Sequence, residues 1–366
     1  MASNSLGRIF RITTAGESHG PAMGVIVDGC PAGIAIDLEF IQHELDRRKP
    51  GQSSITTQRK ESDRITIQSG VYQGKTTGAP ILMMIRNEDM KPADYDHVEN
   101  SLRPSHADFT YHQKYGTRDH RGGGRSSARE TANWVAAGAI AKLILQKEGI
   151  QIHAAVSQVG NIKASIGHES FDWNYAEQNI VRCPDPATTN VMLKLIEEVR
   201  NAGDTIGGVI TCVIDGCPPG LGEPVFHKLQ ADLGHAMLCI NACKGFEFGS
   251  GFEGSTMRGS VHNDVWIKTG DTFRTSTNNS GGLQGGISNG MPIYFNVAFK
   301  PVSTLMLDQS TLTLSGEATT LEGKGRHDPC VVPRAVPIVE ALGALVLVDH
   351  LLLSKIQNSF SAQDST

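Results

Sequence analysis

A six-residue segment occurs twice in this chain and limits the architectures open to it. Residues 28–33 read DGCPAG and residues 215–220 read DGCPPG, so five of the six positions are identical. Each copy follows a run rich in Val and Ile and precedes a segment with helical spacing of apolar residues. Because Asp-Gly and Pro-Gly are also common turn pairs, a coincidental turn is the alternative explanation. An internal duplication predicts two similar halves, each built of strands and helices, packed into one domain.

The spacing of apolar residues predicts strands and helices in irregular order. Strands are predicted at residues 8–13, 24–28, 64–68, 81–86, 151–159, 208–215 and 292–300. Helices are predicted at residues 38–48, 127–148, 189–201, 225–240 and 335–353, and residues 87–125 are predicted to be irregular. Because strands and helices do not alternate regularly, the pattern favours an α+β fold over a doubly wound parallel sheet. We expect one domain over residues 1–366, with pseudo-repeats near 1–190 and 191–355 and a flexible tail at 356–366.

Residues 335–353 are the most apolar stretch, yet they include Glu340, Asp349 and His350. These side chains would be costly in lipid, so we expect a buried or interface helix and no membrane partner. The N-terminus lacks an apolar signal segment, which argues against secretion. Seven scattered cysteines indicate reduced thiols in a cytoplasmic protein. Cys239 and Cys243 lack a second ligand pair, so no metal site is predicted.

The charge balance argues against a broad nucleic-acid-binding surface. The chain has 33 Lys and Arg residues against 38 Asp and Glu residues, a formal net charge of −5. Nucleic-acid binding needs a basic excess, although a local basic pocket remains open. Glycine accounts for 40 of the 366 residues, above its usual share of about 7%. This favours tight loops in which backbone N–H groups can approach a ligand.

Two polar loops each carry a histidine. Residues 16–20 read GESHG, and the flanking glycines leave Ser18 and His19 exposed to act near neutral pH. Residues 103–108 read RPSHAD, where a bound anion would keep His106 cationic and able to protonate a leaving oxygen. The alternatives are a solvated histidine in the first loop and a surface turn in the second.

Residues 122–131, GGGRSSARET, form a glycine loop that runs into a predicted helix. Free N–H groups and the positive end of a helix attract phosphate, so we expect anion binding here rather than a purely structural turn. Arg125 and Arg129 are four residues apart, which would place them on one face of that helix. The loop lacks the GxxxxGK[ST] pattern and no strand precedes it, which excludes a Walker loop and a dinucleotide fingerprint.

A second glycine-rich loop, NNSGGLQGGISNG, spans residues 278–290. It could wrap a planar polar ring through its backbone groups, and a flexible surface loop is the alternative. Loops rather than helices carry the candidate cations and acid–base groups, namely Arg48, Arg125, Lys300, Arg326, His19 and His106. Such a set suits a small substrate that bears phosphate and carboxylate, but the residues alone do not name a reaction.

Five segments together resemble the chorismate synthase family: GESHG at 16–20, RPSHAD at 103–108, HRGGGRSSARET at 120–131, NNSGGLQGGISNG at 278–290 and GRHDPC at 325–330. The resemblance extends from about residue 5 to residue 353. It implies an α+β sandwich in which helices lie between two mainly antiparallel sheets with internal pseudo-symmetry. It also implies the anti-1,4-elimination of phosphate and the C6 hydrogen from 5-enolpyruvylshikimate 3-phosphate, which gives chorismate. The family requires reduced FMN and is typically a homotetramer with FMN sites near subunit contacts.

The resemblance also implies roles for individual residues. His19 would protonate or orient the reduced flavin, and His106 would donate a proton to the substrate phosphate. Asp328 would assist a proton relay at the flavin, supported by Ser18 and Ser127. The implied FMN contacts are Arg125, Ser126, Ser127, Asn241, Ala242, Gly285, Lys300, Pro301, Val302, Ser303, Thr304 and Arg326. The implied contacts with substrate, or with NADPH where it serves as reductant, are Arg48, Ser54 and Arg129.

Two residues depart from the family pattern. Ser54 stands where many relatives carry Arg, which weakens the case for phosphate or nucleotide binding in that loop. Ser105 stands where Gly is common, and this is tolerated unless the position needs a positive φ. Two other functions stay open at this stage: a flavin reductase that passes hydride from NADPH to FMN, and a non-catalytic phosphometabolite-binding protein.

Overall fold

The structure, a computed structural model, describes residues 3–53, 55–56, 61–89, 95, 97–324 and 328–361. Within these ranges the α-helices are α1 Leu38–Arg48, α2 Asp108–Tyr115, α3 Thr131–Lys147, α4 Trp173–Gln178, α5 Pro186–Asn201, α6 Leu229–Leu238, α7 Gly251–Gly254, α8 Gly259–His262 and α9 Val332–Ser361. The strands of the first half are β1 Ser5–Leu6, β2 Arg11–Gly16, β3 Ala22–Asp28, β4 Ile65–Ile67, β5 Val71–Tyr72, β6 Lys75–Thr76 and β7 Ile81–Arg86. Those of the second half are β8 Gln151–Val159, β9 Ile162–Lys163, β10 Gly208–Asp215, β11 Cys243–Phe248, β12 Trp266–Thr269, β13 Thr272–Thr275, β14 Leu283–Gln284, β15 Ile287–Ser288, β16 Ile293–Phe299, β17 Gln309–Leu312 and β18 Ala318–Leu321.

Two five-stranded antiparallel sheets enclose the central helices. The first sheet has the order β1-β2-β3-β7-β4 and the second has the order β11-β16-β10-β8-β9. Helix α3 packs on the first sheet, α9 packs on the second, and the two helices pack against each other. Helices α1 and α6 flank this pair. The predicted α+β sandwich with helices between two sheets is confirmed.

The two halves repeat the same sequence of elements. In chain order, the first half has β2, β3, α1, β4, β7 and α3, and the second has β8, β10, α6, β11, β16 and α9. Corresponding strands occupy corresponding positions, β2-β3-β7-β4 in one sheet and β8-β10-β16-β11 in the other. The internal pseudo-symmetry expected from the repeated segment is therefore confirmed.

The repeated segment makes the same contacts in both halves. The hydroxyl of Thr76 donates to the carbonyl of Pro31, and the hydroxyl of Ser288 donates to that of Pro218, each at 2.6 Å. Each of these hydroxyls also accepts a backbone N–H, from residue 34 at 2.9 Å and from residue 221 at 2.8 Å. The cysteines of both copies are buried, so the similarity of the two segments extends from sequence to hydrogen bonding.

Helix α9 is the core helix of the molecule. By length and composition its residues 332–359 could span a membrane, but 89% of the most apolar window is buried inside the protein. A β-carbon placed on Gly138 of α3 would lie 2.5 Å from the Cβ atom of Ala341 on α9. The expectation of a buried helix at residues 335–353 is confirmed, and the small residues of α3 are explained by this close approach.

Several element boundaries differ from the sequence prediction. Residues 8–10 are not part of a strand, because their backbone N–H groups donate to the carboxylate of Asp349 at 2.7–3.1 Å. The helix predicted at 127–148 begins only at Thr131, after two short 3₁₀ turns. The helix predicted at 225–240 covers Leu229–Leu238. The stretch 87–125, predicted to be irregular, contains α2.

Candidate active site

Three consecutive glycines form the centre of the candidate site, and each faces a different side chain. A β-carbon on Gly122 would overlap the ring of His19, and one on Gly123 would lie 3.1 Å from Cε1 of His106. A β-carbon on Gly124 would lie 2.6 Å from Oε2 of Glu17. Because consecutive Cα atoms are about 3.8 Å apart, the two histidine rings occupy the same part of the molecule.

Ser18 and His19 are buried on the loop between β2 and β3, so the prediction that the flanking glycines leave them exposed is wrong. The side chain of His19 is 6% exposed, and its Nδ1 atom lies 3.1 Å from the hydroxyl oxygen of Ser18. The edge of its ring meets Tyr95, with the ring centroids 4.9 Å apart and an interplanar angle of 76°. The ring is therefore fixed by Gly122, Ser18 and Tyr95.

His106 forms a histidine–carboxylate pair. Its Nδ1 atom lies 3.1 Å from Oδ1 of Asp108, so that the opposite edge of the ring faces Gly123. Arg103 donates to both oxygens of Asp108 at 2.7–2.8 Å, and Arg118 lies 2.8 Å from Oδ1. Burial alone would raise the pKa of Asp108, but hydrogen bonds from Arg103 and His106 hold it well below its usual range. The carboxylate thus stays ionised and orients the imidazole.

The loop before His106 is strained. Ser105 has φ of 56°, in the left-handed region where a side chain costs about 1–2 kcal/mol. Arg118 stabilises this loop from the other side, because its Nη2 donates to the carbonyls of Val98, Glu99 and Ser101 at 2.6–3.1 Å.

Arg48 is the last residue of α1 and not a loop residue as predicted; it converges with Arg129 on one buried carboxylate. Asp63 is 0% exposed; it accepts from Nη2 of Arg48 at 2.5 Å and also from Nη1 of Arg129. Burial alone would raise the pKa of Asp63, but the charges of the two arginines outweigh it and lower the pKa to about 2. The Nε atom of Arg48 and the Nη2 atom of Arg129 are buried and make no hydrogen bond. Nη2 of Arg129 nevertheless lies 3.9 Å from Oε2 of the buried Glu61, so the cluster pairs two arginines with two carboxylates.

The guanidinium of Arg125 is engaged within the chain. It donates to both carboxylate oxygens of Glu130 at 2.5 and 3.1 Å, and to the hydroxyl of Thr14 at 2.8 Å. It also donates to the carbonyl of Gly16 at 3.2 Å. Arg125 thereby ties the glycine loop to the end of β2, and it also lines a cavity of about 980 Å³ next to that strand.

The remaining predicted residues of the glycine loop, Ser126 and Ser127, lie next to the segment that contains Asn241 and Ala242. The side-chain amide of Asn241 donates to the carbonyl of Ser126 at 2.8 Å, while its Oδ1 atom is buried without a hydrogen-bond partner. Ala242 has φ of 64°, and its carbonyl accepts the backbone N–H of Lys300 at 2.9 Å. The hydroxyl of Ser127 accepts the backbone N–H of Arg129 at 3.3 Å. Ser126, Asn241, Ala242 and Lys300 thus form one continuous surface.

Residues 301–304 extend this surface towards the His106 loop. The carbonyl of Pro301 accepts from Nζ of Lys300 at 3.2 Å, and that of Val302 accepts from Thr205 at 2.7 Å. Burial, together with the charge of Lys244, lowers the pKa of Lys300. A cavity of about 70 Å³ then separates this segment from the loop at 95–103; its lining includes Ser303, Thr304, Tyr95 and Arg103.

Asp328 lies on the Arg48 side of the site. It forms an ion pair with Arg334, whose Nε donates to the carbonyl of Arg48 at 3.3 Å. Ser54 and Arg326 lie outside the residues that the structure describes. Among the described residues, no group of three or more His, Cys, Asp or Glu is arranged to hold a metal ion.

Gly285 is the predicted residue that lies apart from the others. The carbonyl of its neighbour Gly286 accepts the N–H of Leu229, at the start of α6, whereas Asn241 follows the opposite end of that helix. Ten helical residues span about 15 Å. Within one chain, Gly285 and Asn241 are therefore separated by roughly the length of α6.

Three residues that build the site were not predicted from the sequence: Asp63, Tyr95 and Arg118. None lies in one of the clusters that drew attention, and their partners are distant in sequence, as for Asp63 and Arg129. Arg103 and Asp108 could be anticipated, since they flank His106 within six residues.

Comparisons with known proteins agree on one family. A family model described as chorismate synthase matches residues 10–352. A chorismate synthase of Cytophaga hutchinsonii is 62% identical over 354 residues, which cover 96% of this chain and 98% of that protein. One from Parabacteroides distasonis is 58% identical, over 98% of this chain and 100% of that protein. A solved crystal structure of a chorismate synthase superposes with a TM-score of 0.76 at 33% identity, covering 95% of this chain and 93% of that one.

Proposed function

The chain belongs to the chorismate synthase family, and we propose that the site around Gly122 and Gly123 is where it carries out the family reaction. That reaction is the carbon–oxygen lyase step in which phosphate and the C6 hydrogen leave 5-enolpyruvylshikimate 3-phosphate by anti-1,4-elimination. The products are chorismate and phosphate, on the shikimate pathway to aromatic amino acids. The observation that carries the assignment of the site is the approach of two imidazoles, His19 and His106, to consecutive glycines.

His106 acts as the proton donor to the leaving phosphate. Asp108 fixes the Nδ1 side of the ring at 3.1 Å, so Nε2 holds the proton that is transferred. Arg103 and Arg118 pair with Asp108, so the carboxylate that orients the imidazole is itself held in place. A general acid of this kind contributes typically 10²–10⁴ to a rate.

His19, which lies against the same glycine loop, would protonate or orient the reduced flavin. Ser18 engages the Nδ1 atom of His19, and the buried position excludes water from the imidazole ring. Ser127 supports the loop through its hydrogen bond with the backbone of Arg129. Asp328 would assist the proton relay at the flavin. It lies on the side of the site where it forms an ion pair with Arg334.

Reduced FMN, the cofactor of this family, supplies electron density to the substrate when it is bound. We propose that Ser126, Ser127, Asn241, Ala242 and residues 300–304 hold it. The fit is supported by the buried, unpartnered Oδ1 atom of Asn241, an acceptor that suits an N–H donor, and by the Lys300 cation, which suits a phosphate or an anionic ring. Arg125 serves this site indirectly, because Glu130 occupies its guanidinium.

Arg48 and Arg129 bind the anionic groups of the substrate through the N–H groups that Asp63 leaves unused. Asp63 and Glu61 balance the charges of the two arginines, so the support for this contact is the buried N–H groups that make no hydrogen bond and not a net positive charge. Arg326 and Ser54, which the structure does not describe, stay proposed members of the FMN and substrate sets. NADPH as the reductant of FMN is also a proposal.

We propose a cytoplasmic homotetramer. Gly285 is separated from Asn241 within one chain, so its contact with FMN would come from a second copy. The β12–β13 hairpin supports an interface, because Trp266 is 50% exposed and Phe273 is 66% exposed. Light scattering of the purified protein measures the mass directly, and a monomer would contradict this proposal.

An anaerobic assay with photoreduced FMN tests the activity. With 5-enolpyruvylshikimate 3-phosphate, we expect chorismate and phosphate to form without NADPH, and no product with oxidised FMN. Oxidation of NADPH without chorismate would instead identify a flavin reductase. Substrate binding without turnover would identify a phosphometabolite-binding protein.

The histidine roles are tested by His19→Ala and His106→Ala. Each change is expected to lower turnover by at least about tenfold, since each removes a proton-transfer group, while FMN still binds. The matched control is His153→Ala, a half-buried histidine that stacks on Trp173 away from the site. Full turnover in both site variants would contradict the assignment.

A further inference from the structure

A buried amide holds the loop that carries His19. Asn87 follows β7 directly and is 7% exposed. Its Nδ2 donates to the carbonyl of Glu17 at 3.0 Å and to that of Gly20 at 2.7 Å. These two carbonyls flank Ser18 and His19, so one side chain closes the turn from both ends.

The same amide is anchored on its other side. Its Oδ1 atom accepts from Nε of Arg129 at 2.9 Å, and Arg129 pairs with the fully buried Asp63. Asp63 in turn pairs with Arg48 at 2.5 Å. The turn is thereby joined through buried contacts to the cluster proposed to bind substrate anions.

We propose that Asn87 is a positioning residue for His19, which it sets in place on Gly122 and couples to the Arg129–Asp63–Arg48 cluster. This inference rests on the catalytic role of His19 given above. Among side chains of this size, only an amide supplies two donors for the two carbonyls and one acceptor for Arg129. An aspartate keeps the acceptor but presents an oxygen to both carbonyls.

The test compares Asn87→Asp and Asn87→Ala with the control Asn179→Ala. Asn179 makes the same kind of contacts, because its amide donates to two carbonyls at 2.7 and 2.9 Å and its Oδ1 accepts a backbone N–H. It lies after α4, away from the site. We expect kcat to fall by about 10–100-fold in both Asn87 variants, as misplacement of a reacting group does, with KM changed less than about threefold and Asn179→Ala near wild type.

A double-mutant cycle identifies the residue through which Asn87 acts. In the full chain with reduced FMN, adding Asn87→Asp to His19→Ala is expected to cost no more than about twofold further. Adding it to His106→Ala is expected to give nearly the product of the single losses. The inference would be overturned if the loss of kcat in the double variant with His19→Ala equalled the product of the two single losses. It would also be overturned if kcat of Asn87→Asp stayed within about twofold of wild type.

Amide hydrogen exchange gives a readout that does not depend on turnover. The N–H of Gly20 donates to the carbonyl of Glu17, so we expect peptides covering residues 16–21 to exchange at least about tenfold faster in Asn87→Asp than in wild type. Unchanged exchange there overturns the positioning role. If exchange rises but His19→Ala keeps full turnover, the loop contact stands and the catalytic role of His19 fails.

Discussion

At the scale of single residues, each of the three glycines at residues 122–124 lies against a side chain, and the anion binding predicted for this loop stays a prediction. The sequence favours anion binding at residues 122–131 because N–H groups gather at the start of a helix. In the structure, short 3₁₀ turns precede α3, and the glycines are covered by His19, His106 and Glu17. Their missing side chains are what allow these groups to converge.

Gly122→Ala tests this convergence. Gly122 has φ of 69°, so the change costs about 1–2 kcal/mol in backbone strain and also displaces the ring of His19. We expect kcat to fall at least about tenfold, because the reacting group moves from its place. The measurement is the anaerobic turnover with reduced FMN, together with the thermal midpoint.

The control is Gly149→Ala. Gly149 has a similar φ of 76°, and a β-carbon there would meet nothing within 4 Å. It should share the loss of stability and keep wild-type turnover. Equal turnover in the two variants would show that contact with Gly122 does not set His19.

At the scale of secondary-structure elements, the contact between α3 and α9 joins the two sheets. The Cβ atom added at Gly138 would lie within 2.9 Å of three atoms of Ala341. Gly in a helix normally costs about 0.5–1 kcal/mol relative to Ala, so its presence in α3 is explained by close packing. The helices approach at a point where no methyl group fits.

Gly138→Ala is therefore expected to destabilise the protein despite its better helix propensity. Overpacking of this kind costs about 1–3 kcal/mol. Gly343→Ala on α9 is the matched control, because its nearest atom would be 3.9 Å away, and we expect it to be neutral or stabilising by up to about 1 kcal/mol. Urea unfolding measures both, and a stabilised Gly138→Ala protein would contradict the packing argument.

At the scale of the whole molecule, buried charges join the two repeated units. Glu340 of α9 accepts from Arg47 at 2.6 Å and from Lys142 at 2.6 Å, both in the first unit. Asp349 of α9 likewise accepts the backbone N–H groups of residues 8–10. Because equivalent elements run from β2 to α3 and from β8 to α9, we propose that the repeat boundary falls at residues 148–150 rather than near residue 190.

These buried carboxylates predict the stability of the protein in acid. Burial would raise the pKa of Glu340, but Arg47 and Lys142 hold it well below its usual range, and the pKa of Asp63 is about 2. A carboxyl group whose pKa is lowered by folding stabilises the fold at pH values above its pKa in the unfolded chain, which is about 4. This stabilisation is lost as the pH falls through the pKa in the folded protein. We expect the free energy of unfolding to fall steadily from about pH 5 towards pH 2.

The variant Asp63→Asn measures how much the carboxylate of Asp63 contributes to the stability of the protein. Asp63→Asn should lower the free energy of unfolding by about 2 kcal/mol at neutral pH, and this free energy should then depend less on pH in acid. The exposed Asp271→Asn should change neither. Chemical unfolding followed from pH 7 to pH 3 makes the comparison. An unchanged slope in Asp63→Asn would mean that Asp63 does not govern acid stability.

The local pattern of apolar residues was sufficient to predict many of the strands and helices. The bounds of β7, β8 and β10 and those of α1 agree with the prediction, because alternation and helical spacing of apolar residues reflect which face is buried. The repeated DGCP segment anticipated the pseudo-symmetry, and the five clusters anticipated the family. Each of these signals lies within a few consecutive residues.

The sequence by itself determined many of the elements, their duplication and the residue types that carry the chemistry, although it missed α2 and β11. Only the tertiary structure decided which charges are already occupied and which groups meet. From the sequence, Arg125 and Arg48 could be free cations, but in the structure Glu130 and Asp63 neutralise them. Residues 8–10, predicted to form part of a strand, instead donate their backbone N–H groups to the carboxylate of Asp349. These pairings depend on how two packed halves bring distant residues together, and no local periodicity records that.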